Sequence, residues 1–178
     1  YANEFDNFAC KTYAENNPDV RLDNRDIHNI KTREVPDADI IMGGFPCQAF
    51  SIAGYQKGFS DTRGTLFFEL LRIINAKKPR VIFMENVKNL IAHDNGNTFK
   101  VIREALIQSG YYIKYQVLNS KEYGNTPQNR ERIYIVGFKD KLDYANFEFP
   151  EKIKLTKTLH DIISFYDPQD EKYYYRKG

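Results

Sequence analysis

The fold of this chain is decided between residues 38 and 47, which read Ala38-Asp39-Ile40-Ile41-Met42-Gly43-Gly44-Phe45-Pro46-Cys47. The apolar run at 40–42 predicts a short buried strand, and the two glycines that follow free the backbone from the usual φ/ψ limits. Cys47 is therefore expected at the carboxyl end of a strand, where open α/β sheets bind their ligands. The alternative is a buried structural thiol, which is the commoner role of a lone cysteine.

Helical and strand-like patterns alternate along the rest of the chain. Apolar spacing predicts helices over 5–17, over 65–78 before Pro79, and over 97–109 before Gly110. A continuous apolar run at 81–84 predicts a buried strand, and two further strands are predicted at 111–119 and 133–138. This alternation predicts the α/β class, with a doubly wound, mostly parallel sheet and crossover helices on its faces.

Composition limits the classes of function. The 178 residues suffice for one domain with its own core, and a net charge of +2 leaves any nucleic-acid surface to a local patch. No apolar run is long enough to cross a bilayer, and two cysteines without a signal peptide favour the cytoplasm. The spacing of His93 and His160 fits no metal site, so no metal is expected.

Polar side chains follow the predicted strands. Glu85 follows the second strand as Cys47 follows the first, and Arg130 and Arg132 lie beside a later one. Alone, such a glutamate is usually solvated or capping, and such arginines are usually surface ion-pair partners. Together, a cysteine, a carboxyl group and two guanidiniums suit attack on an electron-poor ring. The cations favour the thiolate, and partial burial can keep the carboxyl group protonated so that it donates to a ring nitrogen.

Four motifs containing these residues resemble those of the DNA cytosine-5 methyltransferases, in particular the enzymes of bacterial restriction-modification systems. They are Pro46-Cys47-Gln48, residues 58–68, Phe83-Met84-Glu85-Asn86-Val87 and Gln128-Asn129-Arg130-Glu131-Arg132. Their order and approximate spacing match the family, and the resemblance weakens only after about Pro150. It implies a Rossmann-like S-adenosylmethionine-dependent methyltransferase fold, incomplete at both ends.

The resemblance also implies a covalent mechanism on a cytosine flipped out of duplex DNA. Cys47 would add to C6 so that C5 can take the methyl group of S-adenosylmethionine. Glu85 would hydrogen-bond N3 and the exocyclic amine, Arg132 would support O2 or a neighbouring phosphate, and Arg130 would order the cysteine loop. The DNA contacts implied are Gln48, Ser51 and Arg132.

The cofactor residues implied by the resemblance lie mostly near the start of the chain. Glu4 would bind the ribose hydroxyls and Phe5 would stack on the adenine, although a core position for Phe5 in the first helix is an alternative. Asp26 and Ile27 would contact the adenine, with Arg25 replacing the usual glycine beside them. Leu66 would line the methionine end of the pocket, and Pro46 completes the set.

Parts of the family pattern are absent from the sequence: the glycine-rich opening loop, the target-recognition domain and the last two motifs. We therefore expect a partial catalytic domain at 1–150 and the start of a linker at 151–178, with weak or no activity unless a second polypeptide completes the enzyme. Alternatives are a non-catalytic domain that binds nucleic acid or a partner, and an enzyme that acts on tRNA. The presence of both Cys47 and Glu85 argues against the first, and the bacterial-like cysteine loop favours DNA over tRNA.

Overall fold

The computed structural model describes residues 1–46, 66–164, 168 and 170. The chain divides into two compact units. The first contains Tyr1–Val117 and Arg132–Phe149, and the second contains Leu118–Glu131 and Pro150–Gly178. Three predicted site residues, Cys47, Gln48 and Ser51, lie outside the described residues, as does most of the motif at 58–68.

Two groups of strands form the sheets. Strands β1 (Ala2–Asn3) and β2 (Leu22–Asp23) make a parallel pair. A second sheet has the order β3-β4-β6-β5, from β3 (Ile40–Gly44), β4 (Val81–Val87), β5 (Tyr112–Asn119) and β6 (Glu131–Phe138). Strand β4 is parallel to β3 and antiparallel to β6. The predicted α/β class with parallel pairing is confirmed, and β6 adds an antiparallel neighbour that its apolar run did not reveal.

The helices are α1 (Asn7–Asn16), α2 (Leu66–Lys77), α3 (Asn97–Gln108), α4 (Ser120–Tyr123) and α5 (Lys141–Asn146). The first three lie close to their predicted bounds, whereas the short α4 and α5 were not predicted. Asp6 caps α1, because its carboxylate accepts hydrogen bonds from two backbone N–H groups of the first turn. Helix α2 ends before Pro79, as expected for a residue that has no N–H to donate.

The main core of the first unit lies between the sheet and helices α2 and α3. Its most deeply buried side chains include Phe67, Ile74, Ile82, Leu106 and Ile133. Helix α2 approaches β3 so closely that a Cβ at Gly43 would lie 2.8 Å from Leu70 Cδ2. A side chain at position 43 would therefore displace the end of the Leu70 side chain, so glycine allows the close approach of the strand and the helix.

A smaller cluster joins the segment after β2 to the same helix. It contains Ile30, Val35 and Ile73, with Ile27 and Ile41 packed against it. Ile30 is only 2% exposed, so the 3₁₀ turn at Ile27–Asn29 is anchored in the core just after its last residue. The cluster therefore connects the turn after β2 with α2 and β3.

In the second unit, the residues after β5 hold the segment that follows Pro150. The backbone N–H of Ile153 donates to the Glu122 carbonyl oxygen at 2.7 Å, and Lys152 forms an ion pair with the Glu122 carboxylate at 3.0 Å. Asn125 Oδ1 accepts hydrogen bonds from the backbone N–H groups of Thr156 and Lys157. Asn125 has a φ of 49°, in the left-handed region that asparagine tolerates better than most residues.

Candidate active site

Glu85 and Arg132 meet at one edge of the sheet. Glu85 lies near the carboxyl end of β4, and the register places Val87 of β4 opposite Arg132 of β6. The Arg132 Nε–H donates to Glu85 Oε1 at 2.8 Å, with 20% of the Arg132 side chain and 38% of the Glu85 side chain exposed. The first residues of β6 reach this edge because β6 is antiparallel to β4. The carboxyl group is therefore fixed by a charge-assisted bond while part of it faces solvent.

Asn86 links this strand end to the chain that leads into Cys47. Its side chain is buried, with an exposure of 4%. Its Nδ2 donates to the Phe45 carbonyl oxygen at 2.6 Å, and its Oδ1 accepts from the backbone N–H of Val87 at 2.8 Å. The backbone two residues before Cys47 is thus tied to the residue next to Glu85.

The Phe45 side chain is buried, whereas Gly44 and Pro46 on either side of it are exposed to solvent. The Phe45 ring is 7% exposed and makes an edge contact with Phe67, with ring centroids 5.2 Å apart. Pro46 is exposed, and a Cβ at Gly44 would lie 3.8 Å from Glu85 Oε2. The absence of a side chain at Gly44 therefore leaves room beside the Glu85 carboxylate.

We expect Asn86→Ala to destabilise the protein, because it leaves the buried Phe45 carbonyl and the Val87 N–H without their side-chain partner. The loss should be about 2 kcal/mol or more in the free energy of unfolding. Urea denaturation measures it, and Asn89→Ala is the matched control, since Asn89 is exposed three residues further along. A surface substitution of this kind should change stability by less than about 0.5 kcal/mol. Equal losses in the two variants would contradict a structural role for the Asn86 amide.

Arg130 belongs to the second unit. Its backbone carbonyl oxygen accepts hydrogen bonds from the Ser120 N–H and hydroxyl, at 3.1 and 3.2 Å. Next to it, Asn119 Nδ2 donates to Asn129 Oδ1 at 2.6 Å. These bonds order the backbone around Arg130. The predicted target of its side chain, the cysteine loop, lies outside the described residues.

The predicted cofactor residues near the start of the chain share one edge. Glu4 and Phe5 follow β1, and Asp26 and Ile27 follow β2 closely, so the parallel pairing brings both strand ends to the same side. Glu4 Oε1 accepts a hydrogen bond from the Asp6 N–H at 2.9 Å. Phe5 is 66% exposed and lies before the start of α1, so the alternative that places it in the core of the first helix is wrong.

The turn that carries Asp26 is ordered by its own side chain. Asp26 Oδ1 accepts from the backbone N–H of His28 at 2.9 Å and lies 2.6 Å from His28 Nδ1. The hydrogen bond from the His28 backbone N–H, followed by the contact with the His28 ring, holds the pKa of Asp26 below its usual value. Asp26 is therefore ionised at neutral pH, as an acceptor for an amino group should be.

Arg25, which replaces the glycine expected beside Asp26, points its charge at two carboxylates. Its guanidinium donates to Asp23 at 2.9 and 2.6 Å and to Glu34 at 3.3 Å. The hydrogen bonds from Arg25 hold the pKa of Asp23 well below its usual range. The local backbone is held as well, because Asn3 Nδ2 donates to the Arg25 carbonyl oxygen at 2.8 Å. Arg25 is thus accommodated by ion pairs beside the turn.

Within the described part of the chain, no group of three or more His, Cys, Asp or Glu side chains could hold a metal ion. In the same residues, no helix is both long and apolar enough to cross a membrane. Asn86 lies in one of the four motifs, but no role was predicted for it at this site. Its position directly after Glu85 at a strand end was the available signal, but the partner that gives it a role lies 41 residues away.

Comparison with known proteins identifies the family. The family model for C-5 cytosine-specific DNA methylase matches residues 1–178. The chain belongs to this family. Among curated relatives, the Type II methyltransferase M.Bsp6I of Bacillus sp. (strain RFL6) is 58% identical over 176 residues, covering 98% of this chain and 56% of the relative. The Type II methyltransferase M.HhaI of Haemophilus parahaemolyticus is 46% identical over 163 residues, covering 92% of this chain and 49% of the relative.

The match confirms the family that the motifs resemble. The chain spans about half the length of the curated relatives it matches. Solved structures agree on the fold: a Spodoptera frugiperda DNMT2 mutant superposes with a TM-score of 0.68 at 24% identity, covering 96% of this chain and 53% of that one. S. pombe Dnmt2 gives 0.65 at 16% identity, covering 93% and 52%.

Proposed function

We propose that the protein containing this chain methylates C5 of cytosine in duplex DNA through a covalent adduct with Cys47. The observation that carries the proposal is the Glu85–Arg132 pair, held beside the backbone that leads into Cys47 by the bond from Asn86 to Phe45. In a family of cytosine C-5 methylases, this arrangement provides a carboxyl group where the target ring would lie. The names of the relatives, Type II methyltransferases, favour a restriction-modification system.

The chemistry begins with a cytosine turned out of the duplex, because its ring atoms are inaccessible in the base stack. The Cys47 thiolate forms a bond to C6, and the electron pair of the C5–C6 double bond makes C5 nucleophilic. Glu85 shares a proton with N3 and accepts from the exocyclic amine, where charge changes as the thiolate adds. Arg132 holds the carboxyl group in place through its 2.8 Å bond. After methylation, the C5 proton passes to water, its electron pair restores the C5–C6 double bond, and the C6–S bond breaks to release the Cys47 thiolate.

The residues near the start of the chain fit the cofactor. The edge that they share offers two carboxylates and an exposed aromatic ring, at Glu4, Asp26 and Phe5. Glu4 would bind the ribose hydroxyls, Phe5 would stack on the adenine, and Asp26 with Ile27 would contact its edge. Leu66 and Pro46 would line the other end of the pocket. S-adenosylmethionine, when bound, supplies the methyl group as an electrophile for C5.

The remaining parts of the proposal concern the DNA partner, the domain organisation and the location of the protein. Duplex DNA is the proposed partner, contacted by Gln48, Ser51 and Arg132, and Arg130 would order the cysteine loop. The parts of the family pattern beyond residues 1–178 would come from the remainder of the polypeptide or from a second one. Residues 1–150 would act as the catalytic domain and 151–178 as the start of a linker. The proposed location is the bacterial cytoplasm, where the DNA is.

Methyl transfer from radiolabelled S-adenosylmethionine tests the function directly. With the complete protein, we expect label in cytosine-containing duplex DNA at least about 100-fold above that in tRNA, since a flipped-base site discriminates by the contacts of its pocket. A duplex of only adenine and thymine is the control and should take no label. Preferential labelling of tRNA would contradict the proposed substrate, and no labelling of either nucleic acid would favour a non-catalytic binding domain.

A further inference from the structure

Arg72 connects helix α2 to the turn that carries the proposed adenine contacts. Its Nη2 donates to the carbonyl oxygens of Ile27 and Ile30, at 3.2 and 2.9 Å. Its Nε donates to Glu69 Oε2 at 2.8 Å, one helical turn earlier on α2. The Glu69 side chain is only 13% exposed, so the guanidinium is oriented from within its own helix before it reaches the turn.

The Ile30 carbonyl group lies at the C-cap of the 3₁₀ turn Ile27–Asn29, whereas the Ile27 carbonyl group belongs to its first residue and also accepts from the Ile30 N–H at 3.2 Å. A carbonyl group past the end of a helical turn has no partner within it, so the guanidinium satisfies Ile30, and it also gives the Ile27 carbonyl oxygen a second donor. The opposite end of the turn is closed by Asp26, whose carboxylate accepts from the His28 N–H at 2.9 Å. Both ends of the turn are therefore fixed, one by Asp26 and the other by Arg72.

Apolar packing fixes the same turn only in part. Ile30 is buried against Ile73 of α2, with Ile27 at the margin of this cluster. Such packing is not directional, so it sets the depth of the turn more than its rotation. Nη2 donates to both carbonyl groups while Glu69 holds Nε, so the planar guanidinium sets the direction of these carbonyl groups and hence of the peptide plane that follows Ile27.

We propose that Arg72 is a positioning residue for the adenine of the cofactor. It acts through the turn without touching the ligand, and Glu69 orients its guanidinium. This inference rests on the proposed function, which assigns the adenine to Asp26 and Ile27. Helix α2 also carries Leu66, the proposed contact at the methionine end, so one rigid helix would align both ends of the pocket.

Arg72→Met in the complete protein tests the inference, because it retains an unbranched apolar stem and removes the donors. We expect the Kd for S-adenosylmethionine to rise about 10-fold, as for the loss of hydrogen bonds from a charged group. We also expect faster amide hydrogen exchange at Asn29 and Ile30 and an unchanged KM for DNA. Arg72→Lys should restore part of the affinity, since an ammonium group can donate to the carbonyl groups but lacks the second, coplanar nitrogen that Glu69 orients.

The matched control is Arg80→Met. Arg80 also ties distant segments together, through bonds of 2.7 and 2.8 Å to Asp143, but it precedes β4 at the end of the strand opposite to Glu85. Its loss should affect the unfolding midpoint without changing the Kd for S-adenosylmethionine. Wild-type affinity in Arg72→Met, or the same loss of affinity in both variants, would overturn the inference. Failure of the unsubstituted protein to bind S-adenosylmethionine would instead overturn the proposed function, and this inference with it.

Discussion

Replacing Cys47 by alanine is expected to abolish methyl transfer by the complete protein, with a loss of about 10⁴-fold or more, because the covalent route disappears with its nucleophile. The variant should also form no adduct with duplex DNA that contains 5-fluorocytosine. In the unsubstituted protein that adduct accumulates, because the fluorine at C5 cannot leave as a proton does. Denaturing gel electrophoresis of labelled DNA measures the adduct.

The second cysteine of the chain provides the control. Cys10 is 8% exposed and its thiol donates to the Glu4 carbonyl oxygen at 3.0 Å. Burial, with the nearby carboxylates of Glu4 and Asp6, raises the pKa of the Cys10 thiol, so it is a poor nucleophile. Cys10→Ser keeps the hydrogen-bond donor and should retain the adduct. An adduct that survives Cys47→Ala and disappears in Cys10→Ser would reverse the assignment.

The second prediction with a large expected effect on kcat concerns the ion pair of Glu85 and Arg132. Glu85→Gln should lower kcat by about 10² to 10³, as expected for the loss of a group that stabilises developing charge. Arg132→Lys should lower it less, because a lysine can keep the charge near Glu85 but not the geometry of the 2.8 Å Nε bond. Single-turnover methyl transfer separates this effect from product release.

A double-mutant cycle shows whether Arg132 acts through Glu85. If it does, Arg132→Lys should have little further effect once Glu85 is glutamine, since residues in contact are not additive. Fully additive losses would mean that Arg132 contacts the substrate independently. Glu122→Gln is the matched control, because Glu122 also pairs with a basic side chain, at 3.0 Å, but the 64% exposure of Lys152 makes that pair solvent-screened. We expect it to leave kcat within about twofold, as for an exposed ion pair.

Much of the fold could be predicted because apolar periodicity determines which segments form helices and strands. Helix α2 and strand β4 show this clearly: one has apolar residues at helical spacing up to Lys77, and the other is a continuous apolar run. The direction of β6 could not be predicted in the same way. An apolar run such as Ile133–Phe138 suits a parallel or an antiparallel position equally, because direction is decided by the connections and neighbouring strands.

The candidate site shows a similar division. Motifs identified Glu85 and Arg132 in a sheet predicted to be mostly parallel, yet Arg132 meets Glu85 from the antiparallel β6. Asn86 and Arg72 were not identified as site residues. Both donate hydrogen bonds to backbone carbonyl groups that are distant in sequence, 41 residues away for Asn86 and 42 or more for Arg72. Every residue has a backbone carbonyl group, so the sequence does not indicate which one a side chain binds. Such contacts are seen only in the folded structure.

The pairing of β4 with β6 limits how the length of this protein can vary. Val87 lies opposite Arg132, and the register continues without a bulge to Val81 opposite Phe138. Because side chains alternate between the faces of a strand, inserting or deleting one residue within β6 would turn Arg132, or the buried residues after it, to the wrong face. Residues added before Glu131 would leave the register intact. For the register of β4 with β6, changes in chain length are therefore tolerable just before Glu131, while within the strand only substitutions preserve the contact with Glu85.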